Sequence, residues 1–479
     1  MKLREILEGV KVQGCTADLD TEITDVVNDS RQVTVGALFA AVPGMKEDGA
    51  KYIPSALEKG AAAVLSEKMI EGAPCVVVEN VRRAMSRAAA NLCGRPTEKM
   101  TVIGITGTNG KTTSSYLVRH IIETVRGVSV GLIGTNEIIA GGEHVEATRT
   151  TPESVEIQKI FAKMAAAGEK YAVMEVSSHA LALNRVADVK YRVGAFTNLT
   201  QDHLDFHDGM EDYFAAKAKL FKMCGLATIN LDDEYGRRLS DMVGCPTVTT
   251  TARSESGAAI SAERVTYNPG GVEFVARRGS EKAHVSLAIP GEFSVHNALT
   301  ALGCVTALGI SLEEAARALS EFGGVKGRAE LVPTPTDYSV VIDYAHTPDG
   351  IENILRALKA TTKGRVIIVF GCGGDRDRTK RPIMGASAEK LADFCVVTSD
   401  NPRSEEPESI IADILEGMTL PEKRVVIPDR REAIAWALGN AKTGDVVLLA
   451  GKGQETYQEI KGVKHHLDER EVVAQYFAK

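Results

Sequence analysis

The chain has 479 residues, too many for one hydrophobic core, and this length predicts about three domains. The formal net charge of −8 argues against non-specific binding to nucleic acid. No apolar run approaches the roughly 20 residues needed to span a bilayer, so no membrane segment is predicted. The opening stretch MKLREILEGVKVQG is charged throughout and lacks the apolar core of a signal peptide, so we expect a cytoplasmic protein.

The first predicted domain comprises residues 1–97. Short apolar stretches such as GALFAAVPG and APCVVVENV are separated by helical segments, which predicts a small α/β unit. The stretch NLCGRPTEKM follows, where a glycine and a proline break the preceding helix. We therefore place a linker at the end of this domain.

The second predicted domain comprises residues 98–330. It opens with the strand MTVIGIT, a glycine-containing loop and the helix TTSSYLVRHIIETV. The nearly continuous apolar runs YAVMEVSS and VGAFTNLT are typical of strands in a buried parallel sheet. Around residues 247–290 the runs become shorter and turn residues appear, which predicts a small insert of β-hairpins.

The third predicted domain comprises residues 331–479. Strands such as RVIIVFGCGG, FCVVTSD and DVVLLAGKG alternate with helices, which predicts a second doubly wound, Rossmann-like unit. The predicted fold class is thus α/β with three domains. The central one has the parallel sheet of a P-loop ATPase and carries the small β insert.

Residues 103–113, IGITGTNGKTT, join the first strand of the central domain to its helix. Successive backbone N–H groups and the positive end of a helix favour phosphate there. Lys111 would reach the outer phosphates and the Thr112 hydroxyl would bind Mg²⁺. The common phosphate-loop pattern needs a glycine at position 105, where this chain has Ile105. The candidate nucleotide-binding residues are Gly107, Thr108, Asn109, Gly110, Lys111, Thr112 and Thr113.

The loop GTNGKTT resembles that of the Mur ligases and their relatives, which add amino acids to cell-wall precursors or folates. The stretches MEVSSH, TNLTQDHLDFH, GEFSVHNALTALG and VIDYAHTPDG match the same family in the same order. The resemblance covers essentially the whole chain. It implies an ATP-dependent ligase that joins a carboxylate to an amine through an acyl phosphate, assisted by two Mg²⁺ ions.

The resemblance also implies roles for single residues. It gives Glu175 and His203 as Mg²⁺ ligands, Asn297 near the adenine, Arg328 at the phosphates and Asp343 at the ribose. It matches Lys217, in the predicted helix DYFAAKAKLF, to a lysine that the family carbamylates with CO₂. Carbamylation needs a neutral amine, so burial or nearby cations must lower the pKa of Lys217. The implied catalytic residues are Lys111, Glu175, His203 and Lys217.

The sugar-nucleotide substrate is implied by the first domain. The stretch NDSRQVTVGALFAAVPG resembles the uridine-nucleotide-binding domain of one branch of the family, and it places Ser30 and Arg31 at the UDP-sugar. By the same resemblance Thr150, Thr151, Ser177 and Arg185 hold the sugar-peptide. The implied substrate is UDP-MurNAc-L-Ala-D-Glu.

The amino-acid substrate is implied by the third domain. The stretch TSDNPRSEEP places Asp400, Asn401, Pro402 and Arg403 at the carboxyl end of a predicted strand, the edge where α/β sheets bind ligands. A guanidinium can grip a carboxylate through two hydrogen bonds, and meso-diaminopimelate has one carboxylate more than lysine. The motif DNPR resembles that of diaminopimelate-adding members. The resemblance adds Arg376, Gly451 and Glu455 to this site.

Three alternatives remain open. The first is the same reaction with L-lysine or another diamine. The second is a ligase like folylpolyglutamate synthase, which shares the ATP loop but lacks this first domain. The third is a nucleotide-binding protein without catalysis, against which Lys111, Glu175, His203 and Lys217 argue together. We expect a monomer that has small-molecule substrates and neither nucleic acid nor membrane as a partner.

Overall fold

The computed structural model describes residues 1–44, 47–253, 257–268 and 270–478. Within these ranges the chain forms three main sheets, each with helices packed against it. This architecture confirms the α/β class predicted from the sequence. No helix in the described ranges is both long enough and apolar enough to traverse a bilayer.

The elements are numbered here in chain order. The strands are β1 (Val12–Cys15), β2 (Asp25–Val27), β3 (Ala37–Ala40), β4 (Ala63–Ser66), β5 (Cys75–Val78), β6 (Thr101–Thr106), β7 (Val130–Ile133), β8 (Glu137–Ala140), β9 (Glu143–Glu146), β10 (Tyr171–Glu175), β11 (Tyr191–Phe196), β12 (Cys224–Asn230), β13 (Thr247–Thr251), β14 (Ile260–Asn268), β15 (Gly271–Arg278), β16 (Glu281–Leu287), β17 (Glu330–Val332), β18 (Ser339–Asp343), β19 (Val366–Phe370), β20 (Phe394–Val397), β21 (Arg424–Val426), β22 (Val446–Ala450), β23 (Tyr457–Ile460) and β24 (Val463–His466). The α-helices are α1 (Leu3–Ile6), α2 (Ile53–Glu58), α3 (Val81–Leu92), α4 (Lys111–Arg126), α5 (Ser154–Ala166), α6 (Ser178–Ala182), α7 (Met210–Ala218), α8 (Glu234–Met242), α9 (Glu292–Thr306), α10 (Leu312–Ser320), α11 (Pro348–Thr361), α12 (Lys380–Leu391), α13 (Pro407–Leu415), α14 (Arg430–Asn440) and α15 (Glu469–Phe477). Short 3₁₀ helices occupy Gly49–Tyr52, Pro96–Glu98, Lys219–Lys222 and Pro421–Lys423.

The first sheet has the strand order β1-β5-β4-β3-β2. Strands β2 to β5 run parallel, and β1 pairs with β5 in the antiparallel sense. Every residue of β3, β4 and β5 is buried, because helices cover the sheet on its faces. Helix α3 begins after Asn80, whose side chain accepts a hydrogen bond of 2.9 Å from the Arg83 N–H.

The central sheet has the order β16-β15-β14-β13-β12-β11-β6-β10-β7-β8-β9. Its middle part, from β14 to β7, is parallel, and antiparallel ribbons extend it at both edges. The ribbon β14–β16 is the predicted β insert. Strand β6 lies between β11 and β10, so the loop that follows β6 opens at the middle of the carboxyl edge. This position is the usual ligand site of a parallel sheet.

The last sheet has the order β17-β18-β22-β19-β20-β21. Strand β17 pairs with β18 in the antiparallel sense, and the other neighbouring strands of this sheet are parallel. Strands β23 and β24 form a separate antiparallel hairpin. Helix α11 connects this sheet to the central one. Its residues Ile351 and Ile354 are buried in the same apolar cluster as Val295 and Ala298 of α9. The carboxyl edges of both sheets therefore face a shared cleft.

A buried arginine joins α12 to the segment before α13. Arg381 is fully buried and donates hydrogen bonds of 2.9 and 2.7 Å to the two carboxylate oxygens of Glu405, and one of 2.8 Å to Asp413. The hydrogen bonds from Arg381 lower the pKa of Glu405 to about 2, although burial opposes the shift. A bidentate pair of this kind is among the stronger ionic contacts in proteins.

The Glu405→Gln variant should be less stable than the native chain, and the difference should depend on pH. The folded-state pKa lies below the unfolded value of about 4.3, so the pair stabilises the fold above about pH 4 and this stabilisation disappears towards about pH 2. We expect a loss of roughly 2–3 kcal/mol at neutral pH that shrinks on acidification. Urea unfolding at several pH values measures it, and the exposed Glu408→Gln is the control. A loss that does not depend on pH would contradict the assignment.

Candidate active site

A cleft of about 1210 Å³ lies between the carboxyl edges of the central and last sheets. It is lined by the loop after β6, by the segments after β7, β10 and β11, and by the loops after β18, β20 and β22. Parallel strands bring their carboxyl ends to one edge, so residues far apart in the sequence meet there. Most of the site residues predicted from the sequence line this cleft.

The loop after β6 is closed by its own hydrogen bonds. The Lys111 side chain, at the first position of α4, donates to the carbonyl oxygens of Gly107 at 3.0 Å and Thr108 at 2.8 Å. The Asn109 N–H donates to the side chain of Asn198 at 2.9 Å. Burial lowers the pKa of Lys111, and the nearby carboxylates oppose this shift. The result is a loop of N–H groups at a helix N-terminus, which suits a phosphate.

Two glycines let this loop approach its neighbours closely. Gly110 has φ 83°, and a Cβ added there would lie 2.3 Å from the side-chain oxygen of Asn297. At Gly107, with φ 147°, an added Cβ would lie 1.8 Å from the Thr197 hydroxyl. A side chain at either position would therefore force its neighbour to shift, because real carbon contacts are far longer.

The Gly110→Ala variant should be less stable than Gly127→Ala and should bind nucleotide more weakly. Gly127 ends the same helix with φ 63°, and an added Cβ would meet nothing within 4 Å, so both variants share the cost of a left-handed alanine. The clash with Asn297 should add about 1–3 kcal/mol. Urea unfolding and equilibrium binding of ATP measure the two effects. Equal losses in both variants would show that Asn297 moves aside without cost.

Glu175 lies at the end of β10 and is completely buried. Its carboxylate accepts a hydrogen bond of 3.0 Å from the Thr112 hydroxyl. It also accepts bonds of 2.9 Å from both the N–H and the hydroxyl of Thr135. Arg328 donates a hydrogen bond of 3.0 Å to the Thr112 hydroxyl and lies 4.5 Å from the ring centre of Tyr344. Hydroxyl and carboxylate oxygens thus converge directly beside the phosphate loop.

His203 follows β11 and adopts a left-handed backbone conformation with φ 55°. Its ring packs edge-on against that of His179, with 4.9 Å between the centres, and its Nε2 lies 3.4 Å from an Asp202 oxygen. Burial lowers the pKa of His203 although Asp202 opposes the shift. The imidazole is therefore neutral near pH 7, the state that binds metal ions.

Lys217 lies in α7 and is 1% exposed. Its Nζ donates a hydrogen bond of 2.8 Å to the carbonyl oxygen of Gly107 and lies 4.5 Å from the centre of the Tyr213 ring. Burial first, and the charge of Lys111 second, lower the pKa of Lys217 well below its usual value. The lowered pKa favours the neutral amine, which is the form that reacts with CO₂.

The oxygen ligands beside the phosphate loop fit Mg²⁺. Within the part of the chain that the structure describes, no group of three or more His, Cys, Asp or Glu side chains could hold a metal ion by itself. Mg²⁺ is commonly bound by one or two carboxylates together with phosphate oxygens and water. Thr112 and Glu175 supply ligands of this type, and a carbamate at Lys217 would supply two oxygens more.

Asn297 and Asp343, predicted to lie near the adenine and the ribose, both line the cleft. The Asn297 side chain, on α9, accepts a hydrogen bond of 3.4 Å from the Ser114 hydroxyl. Asp343 accepts hydrogen bonds from the N–H groups of Ala329 at 2.7 Å and Ala345 at 2.8 Å, and burial raises its pKa. Each carboxylate oxygen has a second lone pair, so these bonds leave Asp343 able to accept another donor.

The residues predicted to hold the sugar-peptide lie together beside Glu175. The Thr151 hydroxyl donates to the Glu175 carbonyl oxygen at 2.9 Å and accepts from the Ser177 N–H at 3.0 Å. Arg185 donates to the Thr151 carbonyl oxygen at 3.2 Å. Thr150, Thr151, Ser177 and Arg185 all line the cleft.

Ser30 and Arg31 lie apart from that cleft, in the loop after β2, and are not in its lining. Arg31 is exposed and pairs with Asp29 at 2.7 Å. The Ser30 carbonyl oxygen accepts a hydrogen bond of 2.9 Å from Lys59. These two residues therefore belong to a loop of the first sheet and are separate from the predicted site residues that line the cleft.

The motif after β20 forms a dense polar network. The Asn401 side chain donates to Glu455 at 2.8 Å and accepts from Lys452 at 3.1 Å. Lys452 is fully buried and forms an ion pair of 2.9 Å with Glu455. Burial opposes ionisation of Asp400, but Lys452 and Arg430 lower its pKa. An added Cβ at Gly451 would lie 2.5 Å from an Asp400 oxygen, so glycine is required beside it.

Arg403 adopts φ 53° and lines the cleft. It donates a hydrogen bond of 2.7 Å to the Gly374 carbonyl oxygen, and its Nε lies 3.3 Å from a Glu459 oxygen. Pro402 is buried against Gly374, and the exposed Arg376 follows in the neighbouring loop. A guanidinium has five N–H donors, so Arg403 keeps further donors besides those directed at Gly374 and Glu459.

Sequence reasoning missed three residues that the structure adds to the site: Thr135, Asp349 and Lys452. Thr135 donates twice to Glu175, and Asp349 accepts a hydrogen bond of 2.7 Å from Asn109. Lys452 lies inside the motif GKGQE, and Asp349 inside VIDYAHTPDG, so both could have been noticed. Thr135 had no such signal, because it follows a strand whose neighbours only the fold reveals.

Comparison with known proteins gives matches along most of the chain. Three family descriptions match the chain in order: "Mur ligase family, catalytic domain" over residues 22–93, "Mur ligase middle domain" over 105–305 and "Mur ligase, glutamate ligase domain" over 327–453. A curated relative named UDP-N-acetylmuramoyl-L-alanyl-D-glutamate--2,6-diaminopimelate ligase, from Caldanaerobacter subterraneus subsp. tengcongensis, is 46% identical over 484 residues, covering 100% of this chain and 99% of the relative. The protein of the same name from Gloeobacter violaceus is 45% identical over 491 residues, covering 100% and 98%.

Solved structures give the same result. A solved structure of a UDP-N-acetylmuramoyl-L-alanyl-D-glutamate--2,6-diaminopimelate ligase superposes on this chain with a TM-score of 0.72 at 31% identity. The match covers 100% of this chain and 99% of the other. Folylpolyglutamate synthase from Mycobacterium tuberculosis reaches a TM-score of 0.62 at 19% identity and covers 76% of this chain and 91% of its own, which shows a shared fold alone. On the three family matches and the relatives similar over their full length, the chain belongs to the Mur ligase family.

Proposed function

We propose that this protein is an ATP-dependent ligase that adds meso-diaminopimelate to the γ-carboxylate of D-Glu in UDP-MurNAc-L-Ala-D-Glu, a step in peptidoglycan precursor synthesis. The observation that carries the proposal is the convergence of Lys111 and Lys217 on the Gly107 carbonyl oxygen, next to buried Glu175. Full-length relatives named for this reaction, at 42–46% identity, support the choice of substrates.

The reaction begins with the substrate carboxylate. One of its oxygens attacks the γ-phosphorus of ATP, the bond to the β-phosphate oxygen breaks, and ADP leaves. The amine of the amino acid then attacks the acyl carbon, and the tetrahedral intermediate expels phosphate while the nitrogen loses a proton. Lys111 and Arg328, both at the phosphate loop, offset the negative charge on the phosphoryl group.

The proposed metal ligands are those that the family resemblance implies. Thr112 and Glu175 would hold one Mg²⁺, and His203 with carbamylated Lys217 would hold a second. Two Mg²⁺ ions, when bound, supply positive charge to the phosphoryl group in transfer. Carbamylation requires that the neutral Lys217 amine attack CO₂ and lose a proton, which leaves an anion with two oxygens. The lowered pKa of Lys217 favours this step.

Three parts of the chain share the work in this proposal. Residues 1–97 bind the uridine nucleotide through Ser30 and Arg31, which explains why both lie away from the cleft. Residues 98–330 bind ATP and the sugar-peptide. Residues 331–479 bind diaminopimelate through the network around Asn401 and through Arg403. We propose a monomer that acts in the cytoplasm, where ATP is available.

The test is phosphate release from ATP and Mg²⁺ in the presence of UDP-MurNAc-L-Ala-D-Glu. Three reactions are compared: with meso-diaminopimelate, with L-lysine and without an amino acid. Turnover with diaminopimelate alone is the expected result. Turnover with lysine instead would keep the ligase and overturn the assigned substrate. A folded, ATP-binding protein without turnover in any reaction would favour the folate ligase or a protein without catalysis.

A further inference from the structure

One carboxylate of the last domain contacts the phosphate loop of the central domain. Asp349 lies in the first turn of α11, and its Oδ2 accepts a hydrogen bond of 2.7 Å from the Asn109 side chain. The same oxygen is 3.4 Å from the Thr200 hydroxyl, which donates to it. Asn109 and Asp349 are 240 residues apart in the sequence. A single oxygen atom thus joins two loops of one domain to a helix of another.

The other contacts of these loops come from within the central domain. The Asn109 carbonyl oxygen accepts a hydrogen bond of 2.6 Å from the Thr197 hydroxyl. The Thr200 N–H donates to the Thr108 hydroxyl at 3.0 Å. These bonds hold the Thr108 hydroxyl and the Asn109 carbonyl group in place. The amide nitrogen of the Asn109 side chain donates hydrogen bonds to the Thr200 hydroxyl and to the Asp349 carboxylate.

The position of Asp349 depends on how α11 packs. Thr347 caps the helix by accepting a hydrogen bond of 3.1 Å from the Gly350 N–H, which directs the first turn towards the cleft. Ile351 and Ile354 are buried against α9, and an added Cβ at Gly291 would lie 2.6 Å from Ala357. The fit is therefore close, and a shift of the last domain away from α9 would withdraw the carboxylate.

We propose that Asp349 is a positioning residue that couples docking of the last domain to the shape of the phosphate loop. In the docked state it orients the Asn109 amide and so stiffens the loop that holds the phosphates. It acts through Asn109 and does not contact the reacting atoms. Coupling between two binding events is reciprocal, so a docked last domain would tighten ATP binding and bound ATP would favour docking. The inference rests on the proposed ligase function.

The first experiment compares Asp349→Ala, Asp349→Asn and Glu352→Ala with the native protein. Glu352 lies in the same helix but pairs with Ser387 and Arg356, away from the loop. Loss of a hydrogen bond to a charged group should raise the KM for ATP about tenfold or more in Asp349→Ala. Asparagine retains an acceptor oxygen, so Asp349→Asn should lose less. Glu352→Ala should keep its KM for ATP, and all three should keep their KM for the UDP-substrate.

A double variant separates positioning from general stability. If Asp349 acts through Asn109, then Asn109→Ala with Asp349→Ala should have the same KM for ATP as Asn109→Ala alone. Additive effects, or an unchanged KM in Asp349→Ala, would overturn the inference. Equilibrium binding of ATP repeats the comparison without turnover. A native protein that binds ATP but forms no product would contradict the proposed function, whereas the binding comparison would still decide the role of Asp349.

Discussion

Replacing Lys217 with alanine is expected to lower kcat by roughly 10²–10³-fold or more, because the site loses the anion that carbamylation would create there. The amine is buried beneath the phosphate loop and donates a hydrogen bond to the Gly107 carbonyl oxygen. Phosphate release under saturating substrates measures the loss. Lys219, two residues later and exposed, is the matched control, and Lys219→Ala should retain native turnover.

Arginine at position 217 distinguishes a carbamate from a simple cation. Lys217→Arg keeps a positive charge but has no amine that CO₂ can carbamylate, so its turnover should fall as far as that of the alanine variant. Labelled ¹³C-bicarbonate should give a carbamate NMR signal in the native protein and none in Lys217→Ala. Native turnover in Lys217→Arg would show that charge alone suffices and that the carbamate is not needed.

The parallel strands were predictable from the sequence because burial on both faces makes their sequences continuously apolar. Strands β6, β10 and β19 all lie within runs identified from composition alone. The hairpin of β8 and β9 was missed. Every residue of β9 is exposed, so that strand has no apolar pattern, and only the Gly141-Gly142 turn marks the hairpin. An edge ribbon of this kind has too little buried surface to shape its sequence.

The contacts within the site depend on the order of strands in the sheet, which neither motifs nor apolar patterns in the sequence reveal. Glu175 ends β10, and Thr135 follows β7. They meet because the sheet places β7 beside β10. Asp349 reaches Asn109 only because the last domain docks through α11. Motifs therefore identified which residue types belong to the site, whereas the hydrogen bonds between them required the fold.

Replacing Arg403 with alanine is expected to lower kcat/KM for meso-diaminopimelate by about 10²–10³-fold, because a charge-assisted bidentate contact with the second carboxylate is lost. The side chain is already held by Gly374 and Glu459, so its geometry is set before the amino acid binds. L-Lysine has no second carboxylate, so its kcat/KM should not fall. The ratio of the two values, measured by phosphate release, should therefore collapse.

The controls for Arg403 share its unusual backbone. Lys461 also has a left-handed conformation, φ 49° against 53°. Its N–H donates a hydrogen bond of 2.6 Å to the Arg403 carbonyl oxygen, but its side chain is exposed and is not in the cleft lining, so Lys461→Ala keeps that backbone bond at a similar backbone cost. Its substrate ratio should match that of the native protein. Arg403→Lys keeps the positive charge but not the planar guanidinium, so its substrate ratio should lie between those of Arg403→Ala and the native protein. An unchanged ratio in Arg403→Ala would mean that another cation of the cleft wall, such as Arg376 or Lys380, binds the second carboxylate.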